Sequence, residues 1–244
     1  MSPLLCLHGF TGSPKSWDFL EQFQATRIAP ALLGHAGSEA NADVMRFEDE
    51  VDRLTALTTH SGPVHVIGYS LGARLALGIA LRHPSRVSRL TLVSAHPGLA
   101  SDAERAARRA SDAAWCALLQ ARGVPAFVEA WQALPLWASQ MQLPAALRTQ
   151  KQQERLSHSA PGLCRSLRVT GLAEMPHYAP ALAELQMPTD VLAGARDEKF
   201  CDLAKIIAKN LSRARLEIVP NAGHDLLLER PDFITEVIRR GDPT

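Results

Sequence analysis

Short apolar runs alternate with amphipathic stretches along most of this chain. The apolar runs predict strands at residues 3–7, 27–30, 64–67, 89–94, 189–194 and 214–219. Between them, apolar positions recur at helical spacing and predict helices at residues 17–23, 43–59, 200–210 and 231–240. Strands that alternate with helices in this way are typical of a mostly parallel sheet covered by helices on both faces.

The alternation stops between about Pro97 and Pro180. This stretch is rich in Ala, Gln, Arg and Trp, has helical periodicity and contains no convincing strand pattern. We interpret it as a helical cap that is inserted into the fold and lies over the sheet. The predicted organisation is an α/β core made of residues 1–97 and 180–244, interrupted by a helical cap at residues 98–179.

The composition is that of one large globular domain, with 244 residues of which 46% are hydrophobic and 21% are charged. The formal net charge is +1, so no overall field favours nucleic acid or an anionic membrane as a partner. The chain enters its first apolar run after Met1-Ser2-Pro3, without a basic leader or a bilayer-spanning segment, and we expect a cytoplasmic protein. The cysteines lack metal-site spacing, and we expect free buried thiols at Cys6, Cys116, Cys164 and Cys201.

The predicted strand at residues 64–67 runs directly into a Gly-x-Ser-x-Gly pattern. Gly68-Tyr69-Ser70-Leu71-Gly72 is followed at once by residues that favour a helix. A strand, a sharp turn and a helix form a nucleophile elbow, which holds the Ser70 hydroxyl above the carboxyl end of the sheet. A Cβ atom at either glycine would collide with the neighbouring strand or helix. The five residues alone also fit an ordinary strand-to-helix turn, so the elbow assignment depends on this context.

A serine hydroxyl needs an imidazole to exchange its proton and a carboxylate to orient that imidazole. Asp197 and His224 each follow a predicted strand, so both are expected at the sheet edge that carries Ser70. The order Ser70, Asp197, His224 is also the chain order of an α/β-hydrolase triad. Competing carboxylates and weaker histidine candidates are Asp190, Glu198, Asp202, Asp225, His8, His35 and His96. Taken singly, Asp197 also fits a helix cap and His224 a loop histidine.

Two further groups of residues complete the predicted site. An oxyanion hole needs two N–H donors, for which Leu71 and Phe10 are the candidates. Arg74 lies one helical turn after Ser70, and Arg108 and Arg155 lie in the insertion. Arginines on such helices are also common as solvated surface. If they point inward, the pocket accepts a substrate with more than one carboxylate, because arginine binds carboxylates bidentately and keeps its charge.

Several segments together resemble one family of this superfamily. They are Gly68 to Arg74, His96-Pro97-Gly98-Leu99, Glu104-Arg105 with Arg108 and Ser111-Asp112, Thr170-Gly171-Leu172-Ala173, Ala195 to Phe200, and Ala222-Gly223-His224. From about Leu4 to its end, the chain is similar to the 2-succinyl-6-hydroxy-2,4-cyclohexadiene-1-carboxylate synthases of menaquinone biosynthesis. Two features depart from that pattern: Ala73 replaces a glycine that usually follows the serine, and the antiparallel hairpin that usually precedes the first strand is missing.

The resemblance implies an α/β-hydrolase fold and a lyase that needs no cofactor or metal. Such an enzyme removes a ring proton from 2-succinyl-5-enolpyruvyl-6-hydroxy-3-cyclohexene-1-carboxylate and eliminates pyruvate. The resemblance implies a triad of Ser70, Asp197 and His224. Its implied pocket residues are Tyr69, Arg74, Arg108, Trp131 and Arg155. The implied substrate is a tricarboxylate, which agrees with the separate interpretation of the arginines.

Two other functions stay open at this stage. The same triad performs acyl transfer, so a serine hydrolase acting on carboxylic esters or carbon–carbon bonds is the main alternative. A receptor that uses the fold only for binding is a third hypothesis. We expect a monomer or a small homo-oligomer with a small-molecule partner.

Overall fold

Six parallel strands form the central sheet of the computed structural model, which describes residues 2–23, 25–38 and 43–240. The strands are β1 (Leu4–Leu7), β2 (Arg27–Ile28), β3 (Val64–Tyr69), β4 (Val87–Val93), β5 (Thr189–Gly194) and β6 (Ala214–Val219). Their order across the sheet is β2-β1-β3-β4-β5-β6, and each neighbouring pair is parallel. The prediction of a mostly parallel sheet is confirmed.

Eight α-helices are found in the described residues. They are α1 (Phe47–Ala56), α2 (Leu71–Arg82), α3 (Asp102–Gln132), α4 (Ala145–Leu156), α5 (Ala160–Thr170), α6 (Glu198–Asn210), α7 (Leu226–Glu229) and α8 (Pro231–Arg239). The helix predicted at residues 17–23 is instead a 3-10 helix at Pro14–Leu20, which starts at a proline. The helix predicted at residues 43–59 is shorter, since its regular part is Phe47–Ala56.

Both faces of the sheet are buried, as the unbroken apolar strands predicted. Along β1, Leu5 and Leu7 join the core on one face, whereas Leu4 and Cys6 join the core on the other. Helices α1, α2 and α6 cover the first face, and α8 covers the second. Because alternate side chains of a strand point to opposite faces, covering both faces removes all of them from water, and this burial is a main source of stability in parallel sheets.

The insertion between β4 and β5 contains helices joined by irregular segments, and no strand in its described residues. It consists of α3, a 3-10 helix at Pro135–Gln142, α4 and α5. Helix α3 is kinked at Gly123, where φ is +75°, and Pro125 follows two residues later. Cys116, Leu119, Phe127, Leu163 and Leu167 belong to a separate apolar core between α3 and α5. The predicted helical cap is therefore confirmed, and its limits at residues 98–179 stay a prediction.

Two further expectations concern the ends of the sheet and the cysteines. No antiparallel strand accompanies the sheet in the described residues, in line with the missing hairpin. All four cysteines are buried free thiols, as expected. Burial raises the pKa of the Cys6 thiol to about 12, which keeps this thiol protonated and unreactive. None of the described helices has the length and apolar character to cross a bilayer.

Candidate active site

Ser70 occupies a strained turn between β3 and α2. Its backbone has φ 53° and ψ −105°, outside the usual regions for a residue other than glycine. A Cβ at Gly68 would lie 2.3 Å from the Gly72 carbonyl oxygen, and one at Gly72 would lie 2.0 Å from the Leu7 carbonyl oxygen. Both glycines are therefore required by backbone contacts, and they let α2 pack directly over β1 and β3. This is the geometry of a nucleophile elbow.

Ser70, His224 and Asp197 form one chain of hydrogen bonds. The Ser70 Oγ lies 3.0 Å from the His224 Nε2, and the His224 Nδ1 lies 2.7 Å from the Asp197 Oδ2. His224 and Asp197 are only 2% and 9% exposed. A buried carboxylate at Nδ1 favours the tautomer in which Nδ1 carries the proton and Nε2 is free to accept one from Ser70.

Packing fixes the ring of His224 on several sides. The Phe200 ring centroid lies 4.4 Å from that of His224, and those of Trp137 and Tyr69 lie 5.5 and 5.6 Å away. The Ser94 hydroxyl donates a hydrogen bond of 2.8 Å to the backbone carbonyl of His224. The imidazole is thus held in place by aromatic contacts and through its own backbone.

The competing carboxylates have other partners or face solvent. Asp190 binds Arg89, Asp202 binds Lys205 and Asp225 binds Lys151, whereas Glu198 is exposed. Three histidines considered as weaker candidates for the base also lie outside the hydrogen-bond chain. His8 and His35 bind backbone groups near the start of the chain, and His96 accepts a hydrogen bond from the Gly98 N–H. Among the candidates, the structure joins only Asp197 and His224 to Ser70.

The loop after β1 lies against the elbow, as an oxyanion hole requires. A Cβ at Gly9 would lie 3.6 Å from the Cβ of Ser70, so the chain passes very close to the serine. Phe10 and Leu71 both line the cavity that contains Ser70. Leu71 is the first residue of α2, so its N–H has no acceptor inside the helix. The positions of Phe10 and Leu71 support their predicted role as donors to a developing oxyanion.

A cavity of about 340 Å³ lies between the core and the cap, above the triad. Its lining is aromatic and apolar on the side of Phe10, Trp131 and Trp137. Three cationic side chains, Arg74, Arg108 and Lys199, line it as well, and no acidic residue lines it in the described part of the chain. A small-molecule site with these properties favours an anionic substrate.

Arg74 is the most buried cation of this cavity. It is 8% exposed, and its Nη1 donates to the Thr170 carbonyl oxygen at 2.9 Å, with no carboxylate in ion-pair contact in the described structure. Burial, together with repulsion from Arg108, lowers the pKa of Arg74 to about 9, so the group is still a cation at neutral pH. Arg108 is more exposed and donates from Nε to the Asp112 Oδ1 at 2.9 Å.

Arg155 is buried but does not line the cavity. Its guanidinium packs over the Trp137 ring, its Nη2 donates to the Gln140 Oε1 at 3.1 Å, and its Nε has no hydrogen-bond partner among described residues. Tyr69 does line the cavity, and its buried hydroxyl also has no hydrogen-bond partner among the described residues. Burial lowers the pKa of Arg155, while the nearby Asp225 favours its charge. Tyr69, Arg74, Arg108 and Trp131 therefore share the cavity, and Arg155 lies behind Trp137.

A partly buried ionic cluster ties the cap to the triad loop, and no motif indicated it. The Lys151 Nζ lies 2.9 Å from the Glu154 Oε2 and 3.4 Å from the Asp225 Oδ2. The Glu154 Oε1 accepts hydrogen bonds from Ser13 at 2.6 Å and Ser16 at 3.1 Å. Helix α4 is thereby joined to the residue after His224 and to the loop that follows β1. No group of three or more His, Cys, Asp or Glu side chains suited to a metal occurs in the described residues.

A parallel sheet, a nucleophile elbow and a hydrogen-bonded serine, histidine and aspartate define the α/β-hydrolase class. A sequence profile described as the alpha/beta hydrolase family matches residues 4–237. An esterase from Thermogutta terrifontis, solved with malate bound, shares the fold with a TM-score of 0.84 at 24% identity, over 98% of this chain and 88% of that one.

Relatives of higher sequence identity show which group of alpha/beta hydrolases the chain belongs to. The putative 2-succinyl-6-hydroxy-2,4-cyclohexadiene-1-carboxylate synthase of Bacillus subtilis is 35% identical over 96% of this chain and 88% of that protein. The synthase of Salmonella paratyphi C is 33% identical over 97% of this chain and 93% of that protein. The structure of MenH from S. aureus superposes with a TM-score of 0.92 at 31% identity, over 97% of this chain and 91% of that one. The chain belongs to the alpha/beta hydrolase family and, within it, to the 2-succinyl-6-hydroxy-2,4-cyclohexadiene-1-carboxylate synthases.

Proposed function

We propose that this chain eliminates pyruvate from 2-succinyl-5-enolpyruvyl-6-hydroxy-3-cyclohexene-1-carboxylate, as a carbon–oxygen lyase of menaquinone biosynthesis. The observation that carries this proposal is the cavity above Ser70, whose lining, among the residues that the structure describes, has three cations and no acidic side chain. A tricarboxylate matches that charge. The small-molecule polycarboxylate is the proposed partner, the cytoplasm stays the proposed location, and a monomer or small homo-oligomer stays the expected assembly.

In the proposed mechanism, Ser70 and His224 act together as the base. The Ser70 oxygen accepts the ring proton of the substrate while its own proton passes to the His224 Nε2, 3.0 Å away. The negative charge of Asp197, 2.7 Å from the His224 Nδ1, stabilises the imidazolium that forms. No acyl-enzyme is needed, because the serine transfers a proton and forms no bond to carbon.

The electron pair left on the ring carbon drives the elimination. Charge that develops on the adjacent carbonyl oxygen would meet the N–H groups of Phe10 and Leu71. A ring double bond then forms and the carbon–oxygen bond to the enolpyruvyl group breaks. The pyruvate enolate that leaves takes up the proton held by the His224 imidazolium, which restores the neutral imidazole. Helix α2 begins at Leu71, so its N-terminal dipole adds to the stabilisation of this anion.

The arginines and the aromatic residues have separate proposed roles. Arg74 and Arg108 bind substrate carboxylates, which supply the counter-charge that the buried Arg74 lacks in the described structure. Trp131 lines the cavity and packs with the Phe10 ring at 5.3 Å, so it bounds the space for the ring of the substrate. Tyr69 and Arg155 each have an unused buried donor, which supports a shared contact with one further carboxylate.

The serine-hydrolase alternative uses the same triad but suits this cavity less well. A neutral ester offers no counter-charge to Arg74, and keeping a buried cation without one is costly. The deciding experiment supplies the purified protein with the enolpyruvyl substrate and follows pyruvate through lactate dehydrogenase and NADH. We expect pyruvate from the wild type, none above background from Ser70→Ala, and only slow hydrolysis of p-nitrophenyl acetate. Rapid ester hydrolysis without pyruvate release would replace the lyase by the hydrolase.

A further inference from the structure

Lys199 is a cation of the cavity that neither the motif analysis nor the resemblance assigned. It is the second residue of α6, two positions after Asp197, and it lines the same cavity as Ser70. No carboxylate lies within ion-pair distance of its ammonium group among residues 2–23, 25–38 and 43–240. Of the other two described cations in the lining, Arg74 is buried and Arg108 is paired with Asp112. Lys199 is the exposed one without a carboxylate partner among the described residues.

The position of Lys199 in its helix is unfavourable for a lysine. The first turn of a helix carries a partial positive charge, so acidic residues stabilise this turn and basic ones destabilise it. Helix α6 has Asp197 as its cap and Glu198 in its first turn, as that rule expects, and Lys199 is the exception. A residue that opposes a local rule without a compensating contact is a candidate for a functional role.

The surroundings of Lys199 show which ligand would suit it. Lys199, Arg74 and Arg108 all act electrostatically on His96, which lines the cavity with them. The Nδ1 of His96 accepts a hydrogen bond of 3.0 Å from the Gly98 N–H, which leaves Nε2 as the protonated, donating nitrogen of the neutral ring. Burial, aided by these cations, lowers the pKa of His96 to about 4, so at neutral pH the ring is an uncharged donor.

Resting on the proposed function, we propose that Lys199 and His96 form a carboxylate subsite at the exposed side of the cavity. Lys199 supplies the charge and the His96 Nε2–H a neutral hydrogen bond. This subsite would hold one carboxylate of the tricarboxylate beside the triad, because the next residue, Phe200, packs on the His224 ring at 4.4 Å. Arg74 and Arg108 then hold another carboxylate deeper in the cavity.

The exposure of Lys199 determines which kinetic constant it affects. An exposed cation attracts the substrate and holds it equally in the ground state and the transition state. Lys199→Met should therefore raise KM for the tricarboxylate about tenfold, which corresponds to about 1.4 kcal/mol, and leave kcat within about twofold. Lys199→Arg should keep KM near the wild-type value. Added salt should raise KM less in Lys199→Met than in the wild type.

The control is Lys209→Met, which removes an exposed lysine from the last turn of the same helix. It should leave KM unchanged. Unfolding temperatures should show that Lys199→Met is at least as stable as the wild type, because the change removes a cation from a helix N-terminus. An unchanged KM in Lys199→Met, or an equal rise in Lys209→Met, would overturn the subsite.

A binding measurement separates this proposal from the proposed function. Calorimetric titration of the protein with tricarballylate, a simple tricarboxylate, needs no turnover. Weaker binding to Lys199→Met than to Lys209→Met would support the subsite even if the wild type released no pyruvate, in which case only the lyase assignment would fail. Equal binding by both variants and the wild type would contradict the subsite whatever the activity.

Discussion

The guanidinium of Arg155 lies 5.0 Å from the ring centroid of Trp137. The other neighbours of Trp137 include His224 and Trp131, so this ring separates a buried cation from the triad. A cation over a tryptophan face is held by the ring quadrupole without a counter-ion. The pair places a guanidinium one side chain away from the cavity, and the Arg155 Nε–H has no hydrogen-bond partner among the described residues.

Arg155→Met should weaken transition-state binding of the tricarboxylate, calculated from kcat/KM, by about 2 to 4 kcal/mol. This is the range for losing a desolvated charge-assisted partner. Methionine keeps much of the packing against Trp137 and removes only the charge and the donors. Hydrolysis of p-nitrophenyl acetate should be nearly unchanged, because that ester has no carboxylate. The exposed Arg122→Met of the cap is the matched control. Equal losses on both substrates would assign Arg155 a structural role.

Asp197→Asn should reduce kcat for pyruvate release by at least about a hundredfold. Asparagine can still cap α6, since the Asp197 Oδ1 accepts only a weak 3.4 Å hydrogen bond from the Phe200 N–H. It cannot stabilise the imidazolium of His224. Steady-state kinetics of this variant should be compared with Asp202→Asn, which changes an exposed carboxylate of the same helix. A near-normal kcat in Asp197→Asn would move the carboxylate role to another residue.

The parts of the fold that followed from the sequence are those set by local patterns. The strands Thr189–Gly194 and Ala214–Val219 match their predicted limits. Thr189–Gly194 is buried at every position, as a mostly apolar central strand of a parallel sheet should be, whereas Ala214–Val219 is the partly exposed edge strand. The elbow was predictable for a steric reason, since only glycine fits at Gly68 and Gly72. Ser70, Asp197 and His224 then come together because the carboxyl ends of parallel strands share one edge.

Other parts of the site depend on contacts that no local pattern encodes. Trp137 reaches His224 from a 3-10 helix of the cap, and Lys151 reaches Asp225 across the interface between cap and core. Arg155 was expected in the cavity because an arginine on a cap helix can face inward, but Trp137 lies in between. In the sequence, Lys199 belonged only to the matching segment Ala195 to Phe200. Its position in the first turn of α6, where a lysine is unfavourable, is the sequence feature that could have indicated a functional role.

His65 should make the protein less stable as the pH falls. Its side chain is 5% exposed, its Nε2 lies 2.8 Å from the Thr91 Oγ1, and burial, with repulsion from Arg89, lowers its pKa to about 3. Between that pKa and about 6.5, the unfolded chain binds a proton that the folded chain does not. Stability from this group is therefore complete above about pH 6.5 and is lost as the pH falls.

Urea unfolding at several pH values between about 4 and 6 tests this sign. The free energy of unfolding of His65→Gln should change with pH less steeply than that of the wild type, by up to about 1.4 kcal/mol per pH unit. His60→Gln removes an exposed histidine and should keep the wild-type slope. Parallel lines for the wild type and His65→Gln would contradict a buried neutral His65.

Lys151→Met should destabilise the protein by up to about 3 kcal/mol, because it leaves the buried carboxylate of Asp225 and the partly buried carboxylate of Glu154 without their shared cation. Burial alone would lower the pKa of Lys151, but Asp225 and Glu154 outweigh it and raise that pKa, so the lysine is charged in the folded protein. The exposed pair of Lys205 with Asp202 gives the control, and Lys205→Met should have no measurable effect.

The pH dependence of the Lys151→Met loss identifies its cause. Burial alone would raise the pKa of Glu154, and Lys151 is the main group that holds it down. Without the lysine, the folded-state pKa of Glu154 should therefore rise, so the folded variant takes up a proton as the pH falls. The difference in unfolding free energy between wild type and variant should then shrink from pH 7 toward about pH 5. Adding Glu154→Gln to Lys151→Met should restore part of the stability, since it removes one of the two unpaired charges. A loss that is independent of pH and unaffected by Glu154→Gln would mean that Lys151 contributes through the packing of its aliphatic chain, and that the link between α4 and the His224 loop is not electrostatic.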